Sequence, residues 1–471
     1  MTRHTSTDTI VALSTAPGRG AIALVRVSGA RAVEIARQVC TPMPTTARTA
    51  RTAMLATLHE AGAATEVIDH GLVTWFAAPH SYTGEDVVEF AVHGGALVSA
   101  LVMTACVSAG ARPALPGEFT ERAVLHGKLD LLQAEAVADL IEARSRAAHR
   151  TAVRQLDGAL SQRLAAMRDA LLQVDALIAY EIDFPEEDDG TMPRARVLAG
   201  CDEAIAQVDR LLATLPAAAL GREGALVVLA GAPNAGKSSL LNALVGESRV
   251  LVSEHPGTTR DAVEVLVDDV PYPLRLVDTA GLRDGTDVVE RLGIEVSERY
   301  VAQAHVVLAC ADSDAELART VGVVLGLTVG VVVPVRTKVD LCAGLSRRRK
   351  VTEGTEQDSE EGSAVGVVGV STITGEGLAD LRGAIRAAVT SRVATPDDVT
   401  PMVTRARHVA GLRQAAAELR AFRSAWALGA LPAPVVATHL RGAVTALEEL
   451  IGAVDVEDVL ERVFRTFCVG K

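Results

Sequence analysis

The octapeptide GAPNAGKS, residues 231–238, restricts the possible folds of this chain more than any other segment. It fits the pattern G-x-x-x-x-G-K-[ST], whose backbone N–H groups and following helix N-terminus surround phosphate oxygens. The apolar run ALVVLA before it and SLLNALVG after it predict a buried strand and a helix, which a chance glycine-rich turn would lack. Lys237 is expected to reach the β- and γ-phosphates, and Ser238 to bind Mg²⁺ through its hydroxyl. The other expected nucleotide contacts in this loop are Asn234, Ala235, Gly236 and Ser239.

Two later motifs predict the groups around the terminal phosphate of the nucleotide. The sequence GTTRD, residues 257–261, offers Thr259 to complete the Mg²⁺ shell. The sequence DTAG, residues 278–281, directly follows the strand-like run LRLV. Asp278 is expected to hold Mg²⁺ through water, and the Gly281 N–H to contact the γ-phosphate.

A fourth motif, TKVD at residues 337–340, predicts recognition of guanine. Asp340 would accept hydrogen bonds from guanine N1 and N2, which favours GTP and argues against a P-loop ATPase. Lys338 is expected to contact the base, and Ser371, in the sequence STITG, lies where a backbone N–H meets guanine O6. Thr337 stands where most GTPases have Asn; we expect slightly weaker guanine affinity with specificity kept. Four motifs in this order, each at a strand end, predict an α/β nucleotide-binding domain.

The hydrolytic machinery is less clear from the residues alone. Leu282 follows DTAG, where many small GTPases have a Gln that orients the attacking water. Glu290 could supply that function, or it could be an ordinary exposed residue in the first turn of a helix. Arg260 and Arg283 are nearby in sequence, so an arginine-based mechanism is a further alternative.

The pattern of apolar residues divides the 471-residue chain into four sections, and its length favours several domains. Residues 1–127 mix strand-like runs with turns, which predicts an α+β domain. Residues 128–223 and 391–471 have apolar residues at helical spacing, and residues 224–390 alternate buried strands with helices. We therefore predict a helical domain interrupted by a P-loop GTPase domain with a mostly parallel sheet. The strands are expected at residues 21–27, 86–92, 225–230, 274–277, 305–309, 329–335 and 365–370.

Charge and cysteine content limit the partners and the compartment. The net charge of −13 argues against non-specific binding of nucleic acid, so an RNA partner would need a local basic patch. The arginine-rich stretch at residues 144–168 is either such a patch or a solvated helix face. The six cysteines form no CxxC pair, and no apolar run reaches the length of a membrane span. These features favour a reduced, cytoplasmic protein that has no membrane partner.

Four long segments resemble the MnmE (TrmE) family over essentially the whole chain. They are DTIVALSTAPGRGAIALVRVSG near the N-terminus, PGEFTERAVLHGKLDLLQAEAVADLI, GAPNAGKSSLLNAL and the C-terminal FCVGK. The resemblance implies a GTPase that works with the FAD enzyme MnmG on carbon 5 of the wobble uridine of tRNA. It also implies that residues 1–127 resemble folate-binding domains of the glycine-cleavage type.

The resemblance implies a site for 5-formyltetrahydrofolate or a related reduced folate. By position, Arg26, Glu89, Lys128 and Lys471 match the folate contacts of the family, although each reads from sequence alone as a surface charge. Arg, Lys and carboxylate groups suit the glutamate tail and pterin ring of folate. Cys468 matches a cysteine that the family requires, whereas composition alone suggests a small buried hydrophobe.

The resemblance further implies K⁺ in place of an arginine finger. Asn234 matches the side-chain K⁺ ligand, while Ser253, His255 and Thr258 match the loop that closes over the ion. Glu290 matches the glutamate that orients water. The family forms homodimers through the N-terminal domain, and its G domains meet when GTP binds. The alternative class is a regulatory GTPase switch in ribosome assembly, which would leave the folate-like positions and FCVGK unexplained.

Overall fold

The computed structural model of the chain describes most of its length, in two compact units. The first comprises Met1–Ala138, Gln155–Ala204 and Gly411–Lys471, and the second comprises Asp139–Arg154 and Ile205–Ala410. They are called unit 1 and unit 2. The described residues are 8–44, 50–61, 63–183, 194–246, 250–251, 264–269, 271–278, 298–341, 366–393, 400–429, 431–452, 467 and 470.

Unit 1 contains a seven-stranded sheet in the N-terminal part of the chain, with the order β3-β4-β5-β6-β2-β1-β7. The pairs are antiparallel except β1 with β7, which is parallel. Side chains alternate across each strand, so Val25, Val73 and Phe90 are buried in one core cluster with residues of the first two helices. The strands are β1 Ile10–Leu13, β2 Ile22–Ser28, β3 Cys40–Thr41, β4 Met54–Glu60, β5 Ala63–Phe76, β6 Val87–His93 and β7 Arg112–Pro113; the helices are α1 Ala32–Val39, α2 Ala96–Ser108 and α3 Glu118–Leu125.

Long helices form the rest of unit 1. Leu160, Leu164 and Leu171 recur at helical spacing and are buried, which explains why this segment is helical. The helices are α4 Leu131–Glu142, α5 Arg146–Leu156, α6 Ala159–Asp183, α7 Arg194–Leu212, α8 Leu215–Glu223, α9 Lys237–Gly246, α10 Asp314–Leu325, α11 Leu378–Thr390, α12 Ala406–Leu428 and α13 Ala433–Ile451. Of these, α8 to α11 and most of α5 belong to unit 2. In unit 1, α13 packs along α6.

Unit 2 contains a second seven-stranded sheet, with the order β14-β13-β12-β8-β11-β10-β9. The strands from β14 to β11 are parallel, and β10 and β9 add an antiparallel edge. These strands are β8 Ala225–Ala230, β9 Val250–Leu251, β10 Glu264–Val267, β11 Leu274–Asp278, β12 Val306–Ala311, β13 Val331–Arg336 and β14 Val368–Gly369. Because β8 and β12 are completely buried, they carry continuous apolar runs.

The predicted fold class is confirmed, with differences at element ends. The strand expected at residues 329–335 begins at Val331, because the chain bends at residues 329–330, where the Gly330 N–H donates to Thr328 Oγ1 at 2.9 Å. The strand expected at residues 365–370 has only two residues. The predicted boundaries after residues 127, 223 and 390 stay predictions. None of the helices in the described ranges is long and apolar enough to cross a membrane.

Candidate guanine nucleotide site and N-terminal site

The loop after β8 has a backbone that only particular residues allow. Gly231 has φ +153°, and a Cβ built on it would lie 2.2 Å from the Cys310 carbonyl oxygen, so only glycine fits. Asn234 has φ +63° and Gly236 has φ +83°. Asn and Gly tolerate this left-handed region better than other residues, so the sequence matches the curvature of a phosphate-binding loop.

Lys237 begins α9 and points its ammonium group into the loop. Its Nζ donates hydrogen bonds to the carbonyl oxygens of Gly231, at 2.9 Å, and Ala232, at 2.8 Å. The residue is only 4% exposed, so its positive charge is fixed inside the curve of the backbone. A positive charge at this point, with the α9 N-terminus beside it, suits a polyphosphate.

Two residues expected to bind Mg²⁺ are in direct contact. Ser238 Oγ donates to Asp278 Oδ2 at 2.5 Å, and Asp278 lies at the end of β11, beside Leu229 of the parallel strand β8. Hydroxyl and carboxylate oxygens are the ligands that Mg²⁺ prefers, so this pair fits the ion. Of the other predicted residues around the terminal phosphate, Thr259 and Gly281 lie outside the described residues.

The TKVD segment holds the phosphate loop through two consecutive carbonyl groups. Thr337 Oγ1 donates to the Ala235 carbonyl oxygen at 2.8 Å, so this hydroxyl provides the link usually made by Asn. Lys338, with φ +56°, donates from Nζ to the Asn234 carbonyl oxygen at 2.8 Å. Asp312 Oδ2 lies 3.0 Å from the same Nζ and fixes it. The segment predicted to contact the base therefore also hydrogen-bonds the backbone of the phosphate loop.

The two predicted base-recognition segments are adjacent. Asp340 lies in the 3₁₀ turn Val339–Leu341, and the Val339 N–H donates to the Val370 carbonyl oxygen at 3.3 Å. Ser371 is completely buried, and its Oγ accepts from the Thr374 N–H at 3.2 Å, which holds the STITG turn. Asp340 and the Ser371 backbone thus border the same region, although their contacts with guanine stay predictions.

Cys310 lies directly under the phosphate loop but is not chemically active there. It is fully buried in β12, and burial raises the pKa of its thiol to about 12. A thiol with so high a pKa stays protonated near neutral pH and acts as a small apolar group. Cys40, Cys106 and Cys201 are likewise buried free thiols.

The N-terminal sheet pairs two of the predicted folate residues. Arg26 on β2 is the cross-strand neighbour of Glu89 on β6, and Arg26 Nε and Nη2 lie 2.9 and 2.8 Å from Glu89 Oε1. The guanidinium also lies 5.4 Å from the ring centroid of Tyr82 and 5.6 Å from that of Phe119. Sequence reasoning missed both aromatic residues, because no motif marks a ring that flanks an arginine from another part of the chain.

The segment that carries Tyr82 is fixed by a buried ion-pair network. Arg122 on α3 lies 3.1 Å from Glu85 and 3.1 Å from Glu118, and all three side chains are largely buried. Tyr82 itself hydrogen-bonds Thr120 on the same helix, at 2.9 Å between the two hydroxyl oxygens. These contacts place the Tyr82 ring against Arg26.

Residues near the C-terminus of the described chain lie against the N-terminal sheet. Ser14 Oγ donates to the Gly470 carbonyl oxygen at 3.0 Å, and Gly470 is buried with φ +96°. A Cβ on Gly470 would lie 2.2 Å from the Leu13 carbonyl oxygen. Phe467 packs in a cluster with Leu131. Lys128 is exposed, and its Nζ donates to the Pro79 carbonyl oxygen at 3.1 Å.

Several predicted site residues lie outside the described residues, so their placement stays a prediction. They are Ser253, His255, Thr258, Thr259, Gly281, Glu290, Cys468 and Lys471. Sequence reasoning missed Asp312, which fixes the Lys338 ammonium group beside the phosphate loop. Its position directly after a buried parallel strand is a signal that could have found it, because ligand contacts cluster at such strand ends.

A mostly parallel sheet with a phosphate loop after β8, and a TKVD segment tied to that loop, defines a P-loop GTPase. Comparison with known proteins narrows this class. The family model described as MnmE helical domain matches residues 131–468, and that described as GTP-binding protein TrmE N-terminus matches residues 9–128. The chain belongs to the MnmE family.

Curated relatives match the chain over nearly its whole length. A protein of Azoarcus sp. strain BH72, named tRNA modification GTPase MnmE, is 42% identical over 475 residues. A protein of the same name from Neisseria meningitidis serogroup C is 39% identical over 474 residues. The alignments cover 98% of this chain in both cases, and 98% and 99% of the two relatives.

Proposed function

We propose that this chain is a K⁺-stimulated GTP hydrolase that acts with MnmG on carbon 5 of the wobble uridine of tRNA. The added aminomethyl or carboxymethylaminomethyl group would take its one-carbon unit from a reduced folate such as 5-formyltetrahydrofolate. The observation that carries the proposal is the N-terminal site, where Arg26 and Glu89 are paired on the sheet and Gly470 lies against Leu13. A GTPase switch without modification chemistry has no use for such a site. A protein that modifies tRNA together with MnmG would be located in the cytoplasm.

GTP binding follows from the geometry of the phosphate loop. Lys237 and the α9 N-terminus provide positive charge for the phosphates, while Ser238 and Asp278 provide oxygen ligands for Mg²⁺. The bound Mg²⁺ would neutralise charge on the β- and γ-phosphates. Asp340 would select guanine over adenine by accepting from N1 and N2, and the Ser371 backbone N–H would face O6.

Stimulation by K⁺ would use Asn234 as a side-chain ligand. Asn234 is exposed, and its carbonyl oxygen is fixed by Lys338, so its side chain projects from a defined backbone. A bound K⁺ would supply the positive charge that an arginine finger supplies elsewhere. Glu290 would orient the attacking water, because Leu282 cannot. Contact between the G domains of two copies would order the loop containing Ser253, His255 and Thr258 over the ion.

Folate binding is supported by the charges on the open face of the N-terminal sheet. Two of the three guanidinium nitrogens of Arg26, Nε and Nη2, engage Oε1 of Glu89, which leaves Oε2 as an acceptor for the N–H groups of a pterin. Lys128 and Lys471 would provide positive charge for the glutamate tail. Cys468 would lie close to this site, since Gly470 is two residues away.

A homodimer through the N-terminal domain is supported by apolar side chains on the same sheet face. Leu55 is 70% exposed and Ile22 is 65% exposed, and Leu55 is the cross-strand neighbour of the exposed Leu72. Exposed apolar residues in register across a sheet suit burial against a second copy of the chain.

The proposal is tested by mass analysis of wobble uridines from cells that lack this protein. Loss of the carbon 5 modification, restored by the gene, is expected; normal modification in the deletion strain would exclude the proposed function.

The roles proposed for Cys468 and Lys471 are tested separately by deleting residues 468–471, the C-terminal tail. Phe467 is kept because it is buried, so unit 1 should still fold. In a reconstituted assay with MnmG, the truncated protein should lose tRNA modification and keep GTP hydrolysis, and Cys468→Ser tests the thiol alone. Full modification by the truncated protein would show that the tail has no part in the reaction.

A further inference from the structure

Helix α5 of the chain, Arg146–Leu156, presents a basic face that the GTPase and folate sites leave unexplained. Ala152 and Gln155 are buried, while Arg146, Arg150 and Arg154 are exposed and recur every four residues. With 3.6 residues per turn, this spacing puts the arginines on the side of the helix opposite the buried residues. They extend over about 12 Å of helix.

The charge of this face is unusual for the chain that carries it. Residues 143–156 contain four arginines and no carboxylate, although acidic residues outnumber basic ones, 59 to 46, in the whole sequence. Some exposed arginines elsewhere are paired with acids, as Arg423 is with Asp202 and Arg441 with Asp175. An ordinary solvated helix would mix the two signs, because like charges four residues apart repel.

Two of the four arginines have no acidic partner among the residues that the structure describes. Arg144, in the turn before α5, and Arg150 are exposed and make no ion pair there. Arg146 is 68% exposed and lies 3.4 Å from Asp268, which neutralises part of its charge. The unpaired guanidinium groups are therefore available to an external anion.

The start of α5 is fixed in unit 2, so the backbone that carries these arginines has a defined position. Ser145 precedes the helix and caps its N-terminus, because its Oγ accepts a hydrogen bond from the Ala148 N–H at 3.0 Å. The same hydroxyl donates to the Gly221 carbonyl oxygen at 2.8 Å, at the end of α8. A fixed helix backbone needs no reordering on binding, so only the arginine side chains lose conformational entropy.

We propose that Arg144 and the basic face of α5 bind the phosphate backbone of tRNA. The inference rests on the proposed function, which makes tRNA the substrate. Guanidinium groups pair with phosphate oxygens in a fork geometry, and a row of them contacts successive phosphates without reading sequence. In a protein of net charge −13, a local patch of this kind is what allows binding to a polyanion.

The test measures tRNA affinity of the full chain at several salt concentrations by fluorescence anisotropy. Each lost phosphate contact reduces the slope of log K against log salt by about 0.7 to 0.9. The double variant Arg144→Gln, Arg150→Gln should therefore flatten the slope by about 1.5 and weaken binding roughly tenfold near 0.1 M salt. Arg144→Lys with Arg150→Lys should keep most of the slope, since it preserves the charges.

The matched control is Arg37→Gln with Arg413→Gln. Both arginines are exposed on other helices and the control reaches the same net charge. It should bind tRNA as the wild type does, and every variant should hydrolyse GTP normally, which verifies folding.

Three results would overturn the inference. The first is wild-type tRNA affinity in the Gln double variant, and the second is an equal loss of tRNA affinity in that variant and in the control. The third is a loss of MnmG binding with tRNA affinity unchanged, which would mean that the basic face contacts an acidic surface of a protein partner instead of tRNA. If the wild type itself fails to bind tRNA at low salt, the substrate in the proposed function is wrong as well.

Discussion

Replacement of Gly231 by alanine should nearly abolish nucleotide binding. The added Cβ would lie 2.2 Å from the Cys310 carbonyl oxygen, on the buried strand β12. An ordinary contact between these atoms needs about 3.2 Å, so the loop backbone must move by about 1 Å, and a displacement of that size typically costs on the order of 100-fold where geometry is critical. The backbone conformation, with φ +153°, would add strain of about 1–3 kcal/mol.

The assay is titration of the protein with a fluorescent GTP analogue, combined with thermal unfolding. The control is Gly322→Ala in α10, where the same atom would meet nothing within 4 Å. Alanine at that exposed helical position should stabilise the protein by about 0.5–1 kcal/mol and leave GTP affinity unchanged. If Gly231→Ala binds GTP as tightly as Gly322→Ala, the steric argument for the phosphate loop is wrong.

Two further predictions concern the base and the hydrolytic step. Asp340→Ala should weaken GTP binding roughly tenfold or more, since a hydrogen bond to a charged group contributes about 1.5–3 kcal/mol, whereas Thr337→Asn should keep or improve binding; equal wild-type affinity for ATP and GTP would contradict this. Glu290→Ala should lower kcat by roughly 100-fold with nucleotide affinity kept. Exchange of K⁺ for Na⁺ should slow hydrolysis while GTP binding changes little, and Asn234→Ala should remove the K⁺ response. If Glu290→Ala hydrolyses GTP at the wild-type rate in K⁺, the glutamate has no role in hydrolysis. Arg260 and Arg283 would then be the next candidates.

Local signals were sufficient for the GTPase half of the molecule. The run before residue 231 is apolar at every position, because β8 is buried on both faces, and the glycines after it need positive φ. Both features depend only on residues that are close together in the sequence. The link from Thr337 to Ala235 was also foreseeable, since a hydroxyl can replace the amide usually found there.

Contacts between distant segments could not be predicted in the same way. Arg26 and Glu89 become neighbours only through the register of β2 with β6, and that register depends on which faces of the sheet are buried. The close approach of Gly231 to Cys310 joins the loop after β8 to strand β12, and single-sequence periodicity carries no information about it. The antiparallel edge formed by β9 and β10 was missed because its strands have only two and four residues.

The division of unit 1 into three chain segments has a consequence for folding on the ribosome. Helix α6 packs along α13, yet the whole Ile205–Ala410 segment of unit 2 is synthesised between them. That segment can form its own sheet early, whereas the apolar side of α6, with Leu160, Leu164 and Leu171, must wait for α13. Non-local packing of this kind folds slowly, so we expect nascent chains that stop before residue 433 to be bound by chaperones and sensitive to proteases until the later helices arrive.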